Sequence, residues 1–479
     1  MSLTVRPEEP PLSAIAALRE ALQRRGACNL LAAEHAGLVA VDDLARDQDA
    51  HVRDLAARGV RVEERDMPFY GLPYVLTSER FAAISERFAR LFTLLERVID
   101  LYVDDPGARA FFGLAPRHDD LVRIPVRYRP RIQYCRFDFT LDACGVPRIY
   151  ELNTHCPAMM VFGYHLGRTF ERGACHRALL AAGLRPHGLG LDRAGAFARA
   201  VLAAAEEAGA LGRGRHVAVL NSRYLTMNTE LDALTQQFRD EGCDARRCHV
   251  EDLSFDGGRL LHEGWPIDVV FNKYDDSRGA DAYPCAFSRT TAEVQAYLDA
   301  YAAGAVFAVN TFPAMYLTEQ KSTLAFLCSD WLRARLTADE AALIDEIVPR
   351  TRLVAHLDPA ALAEARAERE RFVLKRALDT RGRSVLIGAT LSAAEWEAAL
   401  EDACAQPQDD GYVLQNAAPP ESQVPAPPEL LGTDRVYTSL ACFLLRGAPS
   451  GLLVRSSVEP TTNVGRRGFL QPALVVDVA

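Results

Sequence analysis

Lysine is almost missing from this chain. Of 54 lysines and arginines in 479 residues, only Lys273, Lys321 and Lys375 are lysines. A protein that runs its solvated surface on arginine keeps lysine where a compact ammonium on a thin stem is needed, and binding nucleotide phosphates is such a task. Compositional bias explains the count equally well, so the neighbourhoods of the three must decide. Other absences narrow the class. No run of about 18 apolar residues is available to span a bilayer. The cysteines number eleven and contain no CxxC pair, which argues against zinc knuckles and a disulfide framework and for reduced thiols. The formal net charge is −10 and the arginines are scattered, so the basic stripe that a nucleic-acid partner requires is lacking. There is no GxxxxGK[ST] loop, no GxSxG elbow and no HExxH helix. The opening MSLTVRPEEPPLSAIAALRE has neither the basic nor the apolar region of a secretory signal, and the expected location is the cytoplasm.

What remains is a globular composition, 49% hydrophobic and 25% charged. The length suits two or three domains, because single cores stop growing near roughly 250–300 residues. Small molecules are the expected partners, with no nucleic acid and no membrane. Residues 1–130 read as a helical N-terminal region, led by 78–103 with apolar residues at three-and-four spacing. From 131 the character changes: RIQYCRFDFTLDACGVPRIYELN reads as two extended runs around a turn at 142–147, a hairpin signature. Helices at 197–208 and 228–241 alternate with strands at 216–222, 267–274 and 305–312, which predicts a parallel α/β unit ending in a helix from Thr318. Short strands at 372–377, 384–389, 411–416 and 437–447 with a helix at 392–405 predict an α+β region, and 419–428 reads as a proline-rich loop.

The sharpest constellation lies on the hairpin. RFDF on one arm and YELN on the other bring Asp138, Glu151 and Asn153 onto one face, where three hard oxygen donors suit magnesium held jointly with phosphates. Arg136 shares that face and is placed to bind an anion; the plain alternative is a hairpin with a solvated polar face. Lys375 stands on a strand before a loop with Gly382, whose backbone amides could close over phosphate oxygens. Lys321 sits at the start of the helix expected from Thr318, where anions are favoured. The strand GYVLQN offers backbone groups to an adenine edge. His155 and Arg278 are weaker candidates for contacts to a substrate carboxylate; a turn cap and a loop salt bridge explain them as well. Cys135, Cys144 and Cys156 flank the constellation, with plain packing as the simpler reading. Lys273 ends a strand of the α/β unit, as a ligand contact or as an edge lysine.

The order RFD, ELN, helix-start lysine, strand lysine before a glycine loop and strand ending in glutamine resembles the circularly permuted ATP-grasp ligases, and is most similar to the synthetase domain of glutathionylspermidine synthase. The resemblance covers 131–479. It implies an α/β and α+β multi-lobed protein with a permuted ATP-grasp fold: a metal-binding hairpin segment at 131–190, a pre-ATP-grasp-like α/β domain at 191–315 and nucleotide-binding lobes at 316–479. It further implies magnesium ligands at Asp138, Glu151 and Asn153, Arg136 on the transferring phosphate, and Lys321 and Lys375 on ATP phosphates. Leu414, Gln415 and Asn416 become the adenine hinge and 379–383 the lid. Two departures touch the acceptor pocket and loop closure: THCPAMM follows ELN where relatives often have glycine after the proline, and the phosphate loop has few glycines. The implied activity is an ATP-dependent carboxylate–amine ligase forming an amide through an acyl phosphate. A non-catalytic nucleotide-binding module and a small-molecule phosphotransferase are the alternatives. Dimers are common among the relatives, so a homodimer is also allowed. Replacing Asp138 by Asn is expected to abolish ATP turnover and leave the fold intact.

Overall fold

The computed structural model describes residues 11–62, 65–212, 214–223, 229–273, 291–379, 384–425, 428–465 and 467–478. The fold is mixed α/β. At its centre lies a six-stranded antiparallel sheet in the order Gly468–Gln471, Ala448–Ser457, Val436–Leu445, Tyr134–Leu141 and Pro147–Asn153, with Glu421–Gln423 also pairing along Val436–Leu445. The two faces of this sheet feed two different cores because side chains alternate along a strand. Phe137, Phe139, Ile149, Leu152, Leu440, Cys442 and Val454 pack on one side, whereas Tyr134, Ala441, Phe443 and Leu453 belong to the other.

The helix Ser78–Asp104 lies under the first face. Its apolar stripe, Ile84, Phe88, Leu91, Leu95, Val98 and Tyr102, recurs at three and four residues and is buried. Phe88 meets Phe137 and Phe139 edge-on, with ring centroids 5.6 and 5.1 Å away. Thr77 starts the helix by accepting from the Arg80 amide.

The rest of the N-terminal region is less purely helical than its pattern suggests. Tyr74–Thr77 is the centre of a three-stranded sheet between Ala27–Asn29 and Ala473–Val476. The last strand runs parallel to it from the far end of the chain, and no local pattern announces a partner that distant.

A second layer is a parallel sheet in the order Phe307–Ala308, Val269–Asn272, His216–Asn221 and Asp244–His249. Its two central strands are buried on both sides, as covered parallel strands must be, whereas the edge strand Asp244–His249 mixes buried and exposed residues. A small antiparallel sheet, Leu253–Asp256, Arg259–His262 and Trp265–Ile267, follows it and has no counterpart in the sequence reading. A four-stranded antiparallel sheet, Thr351–Leu353, Tyr412–Asn416, Phe372–Arg376 and Val385–Ile387, carries its own core around Trp396, Leu400 and Phe372. Part of the stretch expected to be a proline-rich loop is the strand Glu421–Gln423. Among the described residues, no helix is long and apolar enough to cross a membrane.

Candidate functional site

The hairpin builds the floor of the site. Asp142 Oδ1 closes its turn by accepting from the amides of Cys144 and Val146 at 2.9 and 3.0 Å, and Gly145 takes the positive φ of 75° that the turn demands. Arg136 pairs with Asn153 and Asp138 with Glu151, but Phe139 pairs with Ile149, so Tyr150 is an extra residue in its arm. This bulge matters, because strict alternation would place Ile149 and Glu151 on the same face. With it, Ile149 stays in the core while Glu151 joins Arg136, Asp138 and Asn153.

Asp138 is completely buried, and both of its oxygens are taken. Arg136 grips it as a fork, Nε to Oδ1 at 2.7 Å and Nη2 to Oδ2 at 3.0 Å, while Arg455 Nη2 donates to Oδ2 at 2.7 Å. Burial pushes the Asp138 carboxyl up, but the two guanidiniums outweigh it and hold the pKa below the ordinary value. Arg136 also donates through Nη1 to the carbonyl of Ala158 at 3.0 Å, which ties the segment after the hairpin to the sheet.

The two phosphate-candidate lysines meet this floor from other elements. Lys375, buried on Phe372–Arg376, donates to the bulge carbonyl of Tyr150 at 2.9 Å and to Gln415 Oε1 at 2.7 Å. Burial lowers its pKa to about 8 and nearby Lys321 works in the same direction, against the raising influence of Glu151 and Asp138. Lys321, also buried, donates to the carbonyl of Asp379 at 2.6 Å and lies 3.4 Å from Glu151 Oε1. It precedes the helix Ser322–Leu327 and follows a single π-helical turn, Ala314–Thr318, in place of a helix starting at Thr318. Thr318 does not cap that helix; its hydroxyl meets Thr154 at 2.8 Å.

Of the residues singled out in the sequence, Arg136, Asp138, Glu151, Asn153, Lys321 and Lys375 are thus brought together. Leu414, Gln415 and Asn416 are placed differently from a hinge with a free edge. Their strand has neighbours on both sides, and the Asn416 amide donates to the Arg350 carbonyl at 2.8 Å. The Gln415 side chain instead links Lys375 to Thr351, donating to its hydroxyl at 3.1 Å. His155 is buried with its amide on Glu319 Oε2 at 2.8 Å. Arg278 and residues 380–383 of the proposed lid lie outside the described residues. Lys273 donates to the Cys156 carbonyl at 2.9 Å and lies 3.4 Å from Glu230, so it anchors the parallel sheet to the segment after the hairpin. Cys135 points into the core, where burial pushes its thiol well up, and Cys144 is exposed at the hairpin turn.

Sequence reasoning missed Arg455 and Glu319. An arginine amid GLLVRSS is the one signal for the former; its partner is 317 residues away. Glu319 was hidden beside Lys321.

A divalent cation shared with phosphates fits part of this set. Glu151 and Asn153 are both partly exposed on one face, and Asn153 spends its Nδ2 on the Arg136 carbonyl at 3.4 Å, which leaves its oxygen as the ligand on offer. Asp138 does not fit in this arrangement, because the arginines occupy both oxygens. Among the described residues, no three His, Cys, Asp or Glu side chains form a metal-holding group.

No protein-family model matches the chain, and no curated protein sequence does. Among solved structures it is similar to a glutathione synthetase-like effector from Globodera pallida in its apo form, with 13% identity, a TM-score of 0.50, and coverage of 90% of this chain and 97% of that one. The fold is glutathione synthetase-like. A candidate gamma-glutamylcysteine synthetase from Methylobacillus flagellatus also aligns, at 12% identity and a TM-score of 0.38, over 78% of this chain and 84% of that one.

Proposed function

We propose that this protein is an ADP-forming carboxylate–amine ligase of the circularly permuted ATP-grasp type. It makes an amide or peptide bond between small molecules through an acyl phosphate. The observation that carries this reading is the meeting of Lys321 and Lys375 from separate elements with Glu151 on the hairpin floor. Two buried ammonium groups beside a carboxylate form an electrostatic clamp for an anion that brings its own cation. The likeness in fold to a glutathione synthetase-like effector supports the same class.

In this reading Lys321 and Lys375 hold the β- and γ-phosphate oxygens of ATP, and Glu151 and Asn153 would hold magnesium. Bound magnesium would neutralise the charge that spreads over the transferring phosphoryl group. A substrate carboxylate oxygen attacks the γ-phosphorus, ADP leaves, and an acyl phosphate forms. The amine nitrogen then attacks the acyl carbon; phosphate departs with the carbon–oxygen bonding pair and the nitrogen gives up a proton. Arg136, held rigid by Asp138, offers its charge to the phosphate. Asp138 acts through Arg136 and Arg455 and not as a ligand. Gln415 sets the position of Lys375. The lobes at 131–190, 191–315 and 316–479 are proposed as hairpin segment, substrate-side α/β domain and nucleotide lobes, and 379–383 as the lid. ATP and magnesium are the proposed cofactors, and the cytoplasm is the proposed location.

The test is phosphate release from ATP and magnesium with panels of amino acids and dipeptides. A ligase needs an acid and an amine together. Release with a single acceptor identifies a phosphotransferase, and nucleotide binding without release identifies a binding module; either overturns the proposal.

A further inference from the structure

One carboxylate in the site has no task in the reaction above. Glu319 follows the π-helical turn, a local irregularity that often marks functional positions. Its own amide donates back to the Ala314 carbonyl at 3.1 Å, which fixes its backbone. Its side chain reaches across to the residues just after the hairpin: Oε2 accepts from the amides of Thr154 and His155, the latter at 2.8 Å. One oxygen is therefore nailed in place by two backbone donors. The other, Oε1, accepts no hydrogen bond among the described residues, and the residue is only partly buried. Two positions on stands Lys321, the candidate phosphate ligand, which is already bonded to the Asp379 carbonyl and lies near Glu151. Charge balance agrees with the geometry. Burial raises the Glu319 pKa to about 7 and Glu151 adds to this, although the two amides and Lys321 pull it down. A carboxylate oriented this firmly, on the edge of burial and with no cation bonded to its open oxygen among the described residues, gains most from a cation there.

We propose that Glu319 recognises the amine substrate, binding through Oε1 the ammonium form of a primary amine or α-amino group beside the phosphate clamp. This rests on the ligase reading. It assigns the amine side of the site to the junction of the turn and the residues after the hairpin. It also defines the acceptor class: amines that arrive as ammonium and release one proton to solvent before the freed lone pair attacks, in preference to nucleophiles that arrive neutral.

Glu319→Gln keeps an oxygen for the Thr154 and His155 amides and removes the charge. With an acid–amine pair from the phosphate-release panel, the variant should raise the KM for the amine roughly ten- to hundredfold. The KM for ATP should stay within about twofold, since Lys321 and Lys375 are untouched. Hydroxylamine, which reaches an acyl phosphate as a neutral nucleophile, should still be converted to hydroxamate at the wild-type rate. An unchanged amine KM overturns the inference. So does a parallel fall in hydroxamate formation or a matching rise in the KM for ATP, because either makes Glu319 a brace of the site. Calorimetric titration with glycinamide and putrescine needs no turnover: binding to the wild type but not to the variant supports the assignment, and equal binding to both overturns it. If the wild type releases no phosphate with any pair, the ligase reading fails and the titration alone decides Glu319.

Discussion

Two of the buried charged groups on this site, Asp138 and Lys375, are built in opposite ways. Around Asp138 the carboxylate is enclosed by opposite charge: two guanidiniums donate to both of its oxygens, depress the pKa and leave one positive charge over. Around Lys375 the direct partners are a backbone carbonyl and an amide oxygen, both neutral, and the pKa falls to about 8. The first arrangement has stability as its product. The second keeps a cation in an environment that disfavours it, which is how an anion-binding group is held ready. Breaking each should therefore move stability in opposite directions.

The largest effect belongs to the closed group. Asp138→Asn leaves two guanidiniums facing each other without their shared carboxylate and should cost about 3–5 kcal/mol in urea unfolding. The simple expectation that this substitution spares the fold does not survive the burial of Asp138. Lys375→Met should do the reverse, stabilising the protein by about 1–3 kcal/mol because a poorly compensated buried cation is replaced by an apolar chain of similar length. A loss of stability in Lys375→Met of the size seen in Asp138→Asn would erase the distinction between the two groups.

The pH dependence sharpens it further. Lys375 titrates near 8 when folded and at its ordinary 10.5 when unfolded, so between those values the unfolded chain binds more protons. Stability contributed at this site therefore rises with pH across that window, and the rise should vanish in Lys375→Met. Nucleotide phosphates favour the charged form, so affinity for ATP should fall as pH climbs past about 8, with proton uptake on binding that scales with buffer ionisation enthalpy in calorimetry. The smallest effect is expected for Gln415→Leu. Lys375 and Thr351 each lose a hydrogen bond there, worth about 1 kcal/mol, and thermal unfolding should record a shift of that order.

How much of this was legible before folding follows the distance between partners. Arg136, Asp138, Glu151 and Asn153 fall within one hairpin, so spacing alone put them on one face. The bulge at Tyr150 that makes the spacing work, and that supplies a carbonyl to Lys375, has no sequence mark. Arg455 escaped because its partner lies two strands away, across Val436–Leu445, in a sheet that only folding assembles. Tyr74–Thr77 was submerged in helical neighbours for the same reason, since its parallel partner is Ala473–Val476. Gln415 was read for its backbone and is used for its side chain. Glu319 needed the contact to Thr154 and His155 before its orientation meant anything. The three rare lysines share one trait that composition could not reveal: each donates to a backbone carbonyl of another segment, Cys156, Asp379 or Tyr150.

The most direct test is calorimetric binding of ATP with magnesium to the wild type and to Lys375→Met near neutral pH. The wild type should bind, and the variant, folded and at least as stable, should bind at least about a hundredfold more weakly. Equal affinity in the two proteins would contradict the assignment of Lys375 to the nucleotide, and with it the ligase reading built on the lysine clamp.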